Sequence, residues 1–243
     1  MIEELSKKIY DLFVVNNRAI AIQAKNGLYY TKYFEFNEEL IAQMIRSSSS
    51  LGTYQQYYKS DKIKWICFDF DCKSKISPDV SFLFDNFVSK FIAILKNNDL
   101  NFATEFSGRR GIHVWIVFNE PIRKSSGYKT ARSLYNDFFE VVSSDEFHEK
   151  YSIDLFPATG SAKGNKVGKQ VKIPLSRHKS GGKSYFFEEN YQIINTETES
   201  FLFDQLEIIR RIKVNNVDDI LRFEADNNEV TSQFIRYKFD ETH

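Results

Sequence analysis

Asp69 and Asp71 stand two residues apart at the end of a run, residues 63–71, that is apolar until these acids interrupt it. If the run is a strand, its period of two puts both carboxylates on one face. Two like charges at such a place repel and are poorly solvated, so they require a compensating cation. Hard oxygen ligands suit magnesium or manganese, which bind through a few carboxylates and substrate phosphates. The plainer alternative is a strand that stops at Phe68, with both acids solvated in a loop. A third acid, Asp154, sits in the apolar segment Ser152-Ile153-Asp154-Leu155-Phe156. A single buried carboxylate is costly unless paired, so it either shares a metal with Asp69 and Asp71 or makes an internal salt bridge.

The segment Ser107-Gly108-Arg109-Arg110-Gly111-Ile112-His113 places two glycines in a hairpin turn. Open backbone N–H groups, a hydroxyl and guanidinium groups make it a nest for an anion. His113 follows on a strand with Trp115 and Val117 on its face; alone, such a histidine is a core residue bonded to a backbone carbonyl. Lys172-Ile173-Pro174-Leu175-Ser176-Arg177-His178 ends another strand with three groups, Lys172, Arg177 and His178, able to grip a triphosphate. Three carboxylates, an anion loop and a basic strand together describe a two-metal phosphoryl or nucleotidyl transfer site.

Positioning these groups takes regular elements. Ile2, Leu5, Ile9, Leu12 and Phe13 have helical spacing, and a strand over 18–24 turns at Asn26-Gly27 into another over 28–34. A helix opens at residues 37–39 and runs out at the serines 47–50, before an extended element that starts at Leu51. Ser77-Pro78-Asp79 starts a helix whose buried stripe runs from Val80 to Leu95. Strands over 101–106 and 112–118 flank the glycine loop, a helix covers 127–142, and short strands follow near 152–156, 170–175 and 185–188. After Asn190 the pattern is helical.

The chain of 243 residues is 42% apolar and 27% charged, enough for a sizeable core in one large domain or two intimate ones. No apolar run is long enough for a membrane span, and acidic residues at the start argue against a signal peptide, so the expectation is a cytoplasmic protein. Cys67 and Cys72 lack the partners for a disulfide framework or a four-ligand zinc site. Zero formal charge hides an asymmetry: residues 155–187 contain no acid but seven lysines and arginines, whereas 13 acidic residues outnumber six basic ones from Glu188 onward.

In order, these motifs resemble those of the archaeo-eukaryotic primase superfamily: an Asp-x-Asp pair at Asp69-Phe70-Asp71, a Ser-x-His-type motif from Ser107 to His113, and a later aspartate at Ile153-Asp154. The closer resemblance is to the primase-polymerase branch found in TOTE conflict systems and beside CRISPR loci. It rests on Leu12-Phe13, Gly27-Leu28-Tyr29, Leu51-Gly52-Thr53-Tyr54, His113-Val114-Trp115-Ile116, and Lys172-Ile173-Pro174-Leu175 with His178, and spans about residues 9–188.

The resemblance implies an α+β primase catalytic core over 1–192, with an N-terminal αβ module (1–62), an RRM-like catalytic module (63–192) and a cleft between them. An acidic helical extension follows over 193–243. It implies template-directed nucleotide addition by two divalent ions, Mg or Mn, on Asp69, Asp71 and Asp154, with His113 catalytic. Ser107, Arg110, Gly111, His113, Lys172, Arg177 and His178 would hold the nucleotide, and Lys163, Lys166 and Lys169 the template. Expected partners are a single-stranded DNA template and primer, NTPs or dNTPs, and fused or recruited CRISPR or conflict-system proteins. No zinc is expected, because the cysteine-rich insertion of many relatives is missing. The usual Phe-Pro-Lys-Gln after the third motif is Phe156-Pro157-Ala158-Thr159 here, and Gly168-Lys169 stands where relatives have Gly-Asn. Rival readings are a primer-extending repair polymerase that cannot prime, and a non-catalytic RRM-like module that binds single strands. For the latter, Ile112 and His113 replace the aromatic residues that would stack bases.

Overall fold

Leu5, Ile9 and Phe13 line one side of helix α1 (Ile2–Phe13) and are all buried, as their spacing requires. The chain then makes a hairpin of β1 (Ile20–Gln23) and β2 (Tyr29–Lys32), turned at Gly27, whose φ of 86° favours glycine. Helix α2 (Glu38–Ser47), β3 (Leu51–Tyr54) and the long strand β4 (Lys62–Cys72) follow. The computed structural model describes residues 1–24, 26–47, 49–161, 167–179 and 181–220.

Asp79 caps the next helix by accepting from the Phe82 N–H at 2.9 Å. That helix comes in pieces: α3 (Val80–Leu83), a π-helical turn (Phe84–Val88) and α4 (Ser89–Asn97). Then come β5 (Ala103–Phe106), β6 (Gly111–Arg123), α5 (Lys124–Val141), α6 (Ser144–Lys150) and β7 (Tyr151–Phe156). Strands β8 (Gln170–Lys172) and β9 (Tyr185–Phe187) and helix α7 (Phe201–Arg210) complete the set. No described helix is long and apolar enough to cross a membrane.

The strands form two antiparallel sheets, one of order β2-β1-β3-β8 and a larger one of order β7-β4-β6-β5-β9. β8 leaves the sequence neighbourhood of the large sheet and pairs with β3, Lys172 opposite Gly52. The small sheet is therefore built from both ends of the core, and residues 63–192 do not serve the large sheet alone.

On one face of the large sheet Phe68 and Phe70 pack on Phe91 of α4, at 4.5 and 5.4 Å between ring centroids, and Phe70 packs on Phe138 of α5. On the other face Trp65 and Trp115 meet edge to face at 5.0 Å, Trp115 meets Phe13 of α1, and the Trp65 indole N–H donates to the Phe13 carbonyl. Both tryptophans are fully buried.

The chain after Asn190 is helical only from Phe201. Phe201, Leu206 and Ile209 bury α7 against the core, Arg210 pairs with Glu4 of α1, and residues 221–243 lie outside the described part. From α7 the buried Gln205 accepts from the Phe186 N–H at 2.7 Å and donates to the Phe186 carbonyl, along the outer edge of β9. Cys67 and Cys72 are buried free thiols.

Candidate active site

β4 continues through Asp71 to Cys72, so both aspartates are strand residues and the solvated-loop alternative is excluded. The register then does the rest. Asp69 lies directly opposite Asp154 of β7 on one side and His113 of β6 on the other, and His113 lies opposite Glu105 of β5. Directly opposed residues share a face, so Asp154, Asp69, His113 and Glu105 form one row across four strands. Asp71, two residues on, stands opposite Gly111 and Ser152.

Gly111 has a steric reason. A Cβ there would lie 2.3 Å from Asp71 Oδ1 and 2.5 Å from the Phe70 carbonyl, so only glycine leaves the carboxylate its place. Asp71 Oδ2 meets Arg110 Nη2 at 2.5 Å, and the same guanidinium donates to the Cys72 carbonyl. Asp69 Oδ1 stands 3.5 Å from His113 Nε2, attractive but too long for a strong hydrogen bond, and that oxygen is buried without a hydrogen-bond partner. His113 Nδ1 and Trp115 Nε1 both reach Glu105 Oε2 at 2.9 Å.

The facing wall comes from the small sheet. Tyr29, Gln170, Val171 and Lys172, with His178 beyond, line a cleft of about 180 Å³ against Asp69, Asp71, His113 and the 107–110 loop. Lys172 crosses the cleft and donates to the Ser107 carbonyl, while Ser107 Oγ accepts from the Gly111 N–H. Gly108, at φ 90°, turns the loop so that its carbonyl accepts from the Gly182 N–H at 2.7 Å.

Burial pushes Asp69 above the ordinary carboxylate range, against the pull of the His113 charge. Burial and the adjacent Asp69 push Asp71 up to about 7 despite Arg110. His113 rises, because the charges of Asp69 and Glu105 and the bond to Glu105 outweigh the opposing effect of burial. Lys172 is driven down to about 8 by burial, and His178 to about 4 by burial and the charges of Lys172, Arg109 and Arg110. Paired acids that resist ionisation, one with an orphan buried oxygen, are what a hard divalent cation would relieve, so the residues fit such an ion. Among the described residues, however, no three His, Cys, Asp or Glu side chains stand together as a ready-made metal site.

The reason is Asp154. Its backbone is in register with Asp69, but its side chain is 60% exposed and meets Lys169 Nζ at 2.6 Å. It is thus not a buried acid, and it makes the salt bridge within the chain that was the alternative to a shared metal, at the surface because β7 is an edge strand and that end of the row is open to solvent. Lys169 sits on this acid. Lys163 and Lys166 lie outside the described residues. Arg177 does not line the cleft and instead pairs with Glu197 at 3.0 Å. Its strand ends at Lys172, so alternation beyond that point does not aim the side chain. Ser107, Arg110, His113, Lys172 and His178 do come together. Arg109 lines the cleft as part of the anion loop and Tyr29 had entered only as part of a resemblance motif, whereas Glu105 and Gln170 were not anticipated; of these Glu105 carried a readable signal, an acid inside the short strand 103–106.

No curated protein sequence matches the chain. Among solved structures it is similar to the polymerase domain of Mycobacterium tuberculosis ligase D in complex with DNA. That likeness has 11% identity and a TM-score of 0.48, and covers 93% of this chain and 88% of that one. It is also similar to the archaeo-eukaryotic primase domain of the cyanophage S-2L primase-polymerase, at 9% identity and a TM-score of 0.37, over 79% of this chain and 88% of that one. The family model for the archaeo-eukaryotic primase domain of TOTE conflict systems matches residues 7–220, from α1 past α7 and across every strand described above, and the chain belongs to that family.

Proposed function

We propose that the chain is a DNA primase-polymerase that transfers nucleotides from NTPs or dNTPs to a 3'-hydroxyl under the direction of a single-stranded template. The observation that carries this reading is the in-register row Asp154–Asp69–His113 facing an anion-binding loop and Lys172 across one cleft. Asp69 and Asp71, joined by Asp154 once it leaves Lys169, would hold two Mg or Mn ions. Bound there, the ions would supply charge stabilisation at the phosphate and a lowered pKa for the attacking hydroxyl.

The chain's own groups do the positioning. Arg110, Lys172 and the glycine loop bind the triphosphate, with His178 beside them, kept neutral by burial and by its cationic neighbours. His113 presents Nε2 toward the same space from a fully packed base. The base-stacking alternative loses support, since Ile112 is buried and His113 is engaged with Glu105. Partners from a conflict system or CRISPR locus are part of this proposal through the family alone.

The deciding experiment offers unprimed and primed single-stranded DNA, each with NTPs or dNTPs and with Mg or Mn. Product on the unprimed template supports a primase; product on the primed template alone identifies a primer-extending polymerase. No incorporation under any condition, with single-strand binding retained, overturns the catalytic reading.

A further inference from the structure

One buried acid has no part in the scheme so far. Glu105 closes the row on β5, is fully buried, and spends a single oxygen, Oε2, on two partners while Oε1 has no hydrogen bond. The Trp115 indole N–H can only donate, so Oε2 is an acceptor. A second bond to the same oxygen then has His113 Nδ1–H as donor, which leaves Nε2 as the ring atom on the Asp69 side of the cleft.

We infer that Glu105 is a positioning residue for His113, holding the imidazole in one orientation by accepting from Nδ1–H, so that Nε2 is the nitrogen that faces the bound nucleotide. The inference rests on the proposed nucleotide contact of His113. Its geometry is rigid at every joint. Trp115, which shares the acceptor, is itself clamped between Trp65 and Phe13 at 5.0 and 4.9 Å and meets the His113 ring edge-on at 5.6 Å. The ring therefore cannot flip without breaking the bond to Glu105 and the packing on Trp115. A residue present only to satisfy the Trp115 N–H would need no second bond to the imidazole.

The test joins ring spectroscopy to kinetics. Imidazole nitrogen NMR of the ligand-free protein, taken under alkaline conditions where the ring is neutral, is expected to show Nδ1 protonated in the wild type. In Glu105→Gln the tautomers should mix, and the nucleotide KM should rise about tenfold or more, as is common when the partner that orients a site histidine is lost. Trp115→Phe, which removes the indole N–H but keeps an aromatic ring against the imidazole and leaves Glu105 Oε2 to His113, should lower the melting temperature and change the ring spectrum and KM far less than Glu105→Gln does. In a His113→Ala background the Glu105→Gln effect on KM should vanish. If Glu105→Gln does not fold, Glu105→Asp, which keeps the charge but withdraws the oxygen from Nδ1, is read by the same criteria.

An unaltered ring spectrum in the Glu105 variant overturns the proposal alone. The same holds if Trp115→Phe raises KM as much, or if the KM penalty persists without His113. An unchanged KM in His113→Ala overturns the nucleotide reading of His113 and the proposal with it.

Discussion

The two ends of one face of the large sheet are made by the same strands, yet one is fully buried and the other lines the cleft proposed as the active site. At one end Trp65, Cys67 and Trp115 are sealed under Phe13. At the other end, starting two residues along β4, Asp69, Asp71 and His113 face cations from a loop and from the opposite sheet. What differs is the cover. Helix α1 supplies apolar surface to the first end, whereas the second is roofed by Lys172, Arg110 and His178, so the dry end acts as the anchor that fixes side chains at the wet end.

That contrast is open to attack from both sides. Trp65→Ala should lower stability by about 3–5 kcal/mol, the cost of emptying a core aromatic site, measured by chemical denaturation. Asp69→Ala with Asp71→Ala should abolish nucleotide incorporation while the denaturation midpoint stays level or rises, because two mutually repelling buried acids are removed. Wild-type-like extension by that double variant would end the mechanism. Gly111→Ala comes next: with a methyl 2.3 Å from Asp71 Oδ1, it should cost about 1–3 kcal/mol and displace the carboxylate, so incorporation falls more than stability explains.

Proton linkage gives a fourth expected outcome. Asp71 is pushed from the ordinary carboxylate value to about 7, so the folded state holds this proton more tightly than the unfolded chain. Its contribution to the metal-free protein is full at acid pH and is lost as pH rises through about 7. Metal binding displaces the same proton, so the rise in melting temperature on adding Mn should grow as pH increases through 7. Asp71→Asn should flatten both trends, and an Mn effect independent of pH across that window would contradict them.

The smallest effect belongs to the open end of the row. Lys169→Ala breaks an exposed pair worth about 0–1 kcal/mol, so stability should hardly move. Metal affinity, read by calorimetry, should improve because Asp154 is released. A loss of affinity would place Lys169 in a different role.

Much of this was legible in the chain. Near-continuous apolar runs over 63–71 and 112–118 located both central strands, and the two glycines of residues 107–111 marked the loop between strands that lines the cleft. Glu105 escaped although its strand was located, because an isolated acid in a four-residue strand does not say which neighbour across the sheet it meets. Helix α6 escaped for a similar reason: seven residues bury only Phe147. Asp154 was legible as a position but not as a pose, since a backbone register can be inferred from motif order while a rotamer depends on Lys169, fifteen residues away. That β8 would join the small sheet was not legible, because no local pattern says which of two sheets a three-residue strand will choose.

Gln205 gives the large sheet an asymmetry of another kind. By presenting an acceptor and a donor to Phe186, its amide imitates the next strand and leaves no vacant ladder at the β9 border. Unprotected strand borders are templates for aggregation. One border of the sheet is thus closed to neighbouring molecules by a single side chain, whereas the β7 border, which carries Asp154, pairs with no further strand among the described residues.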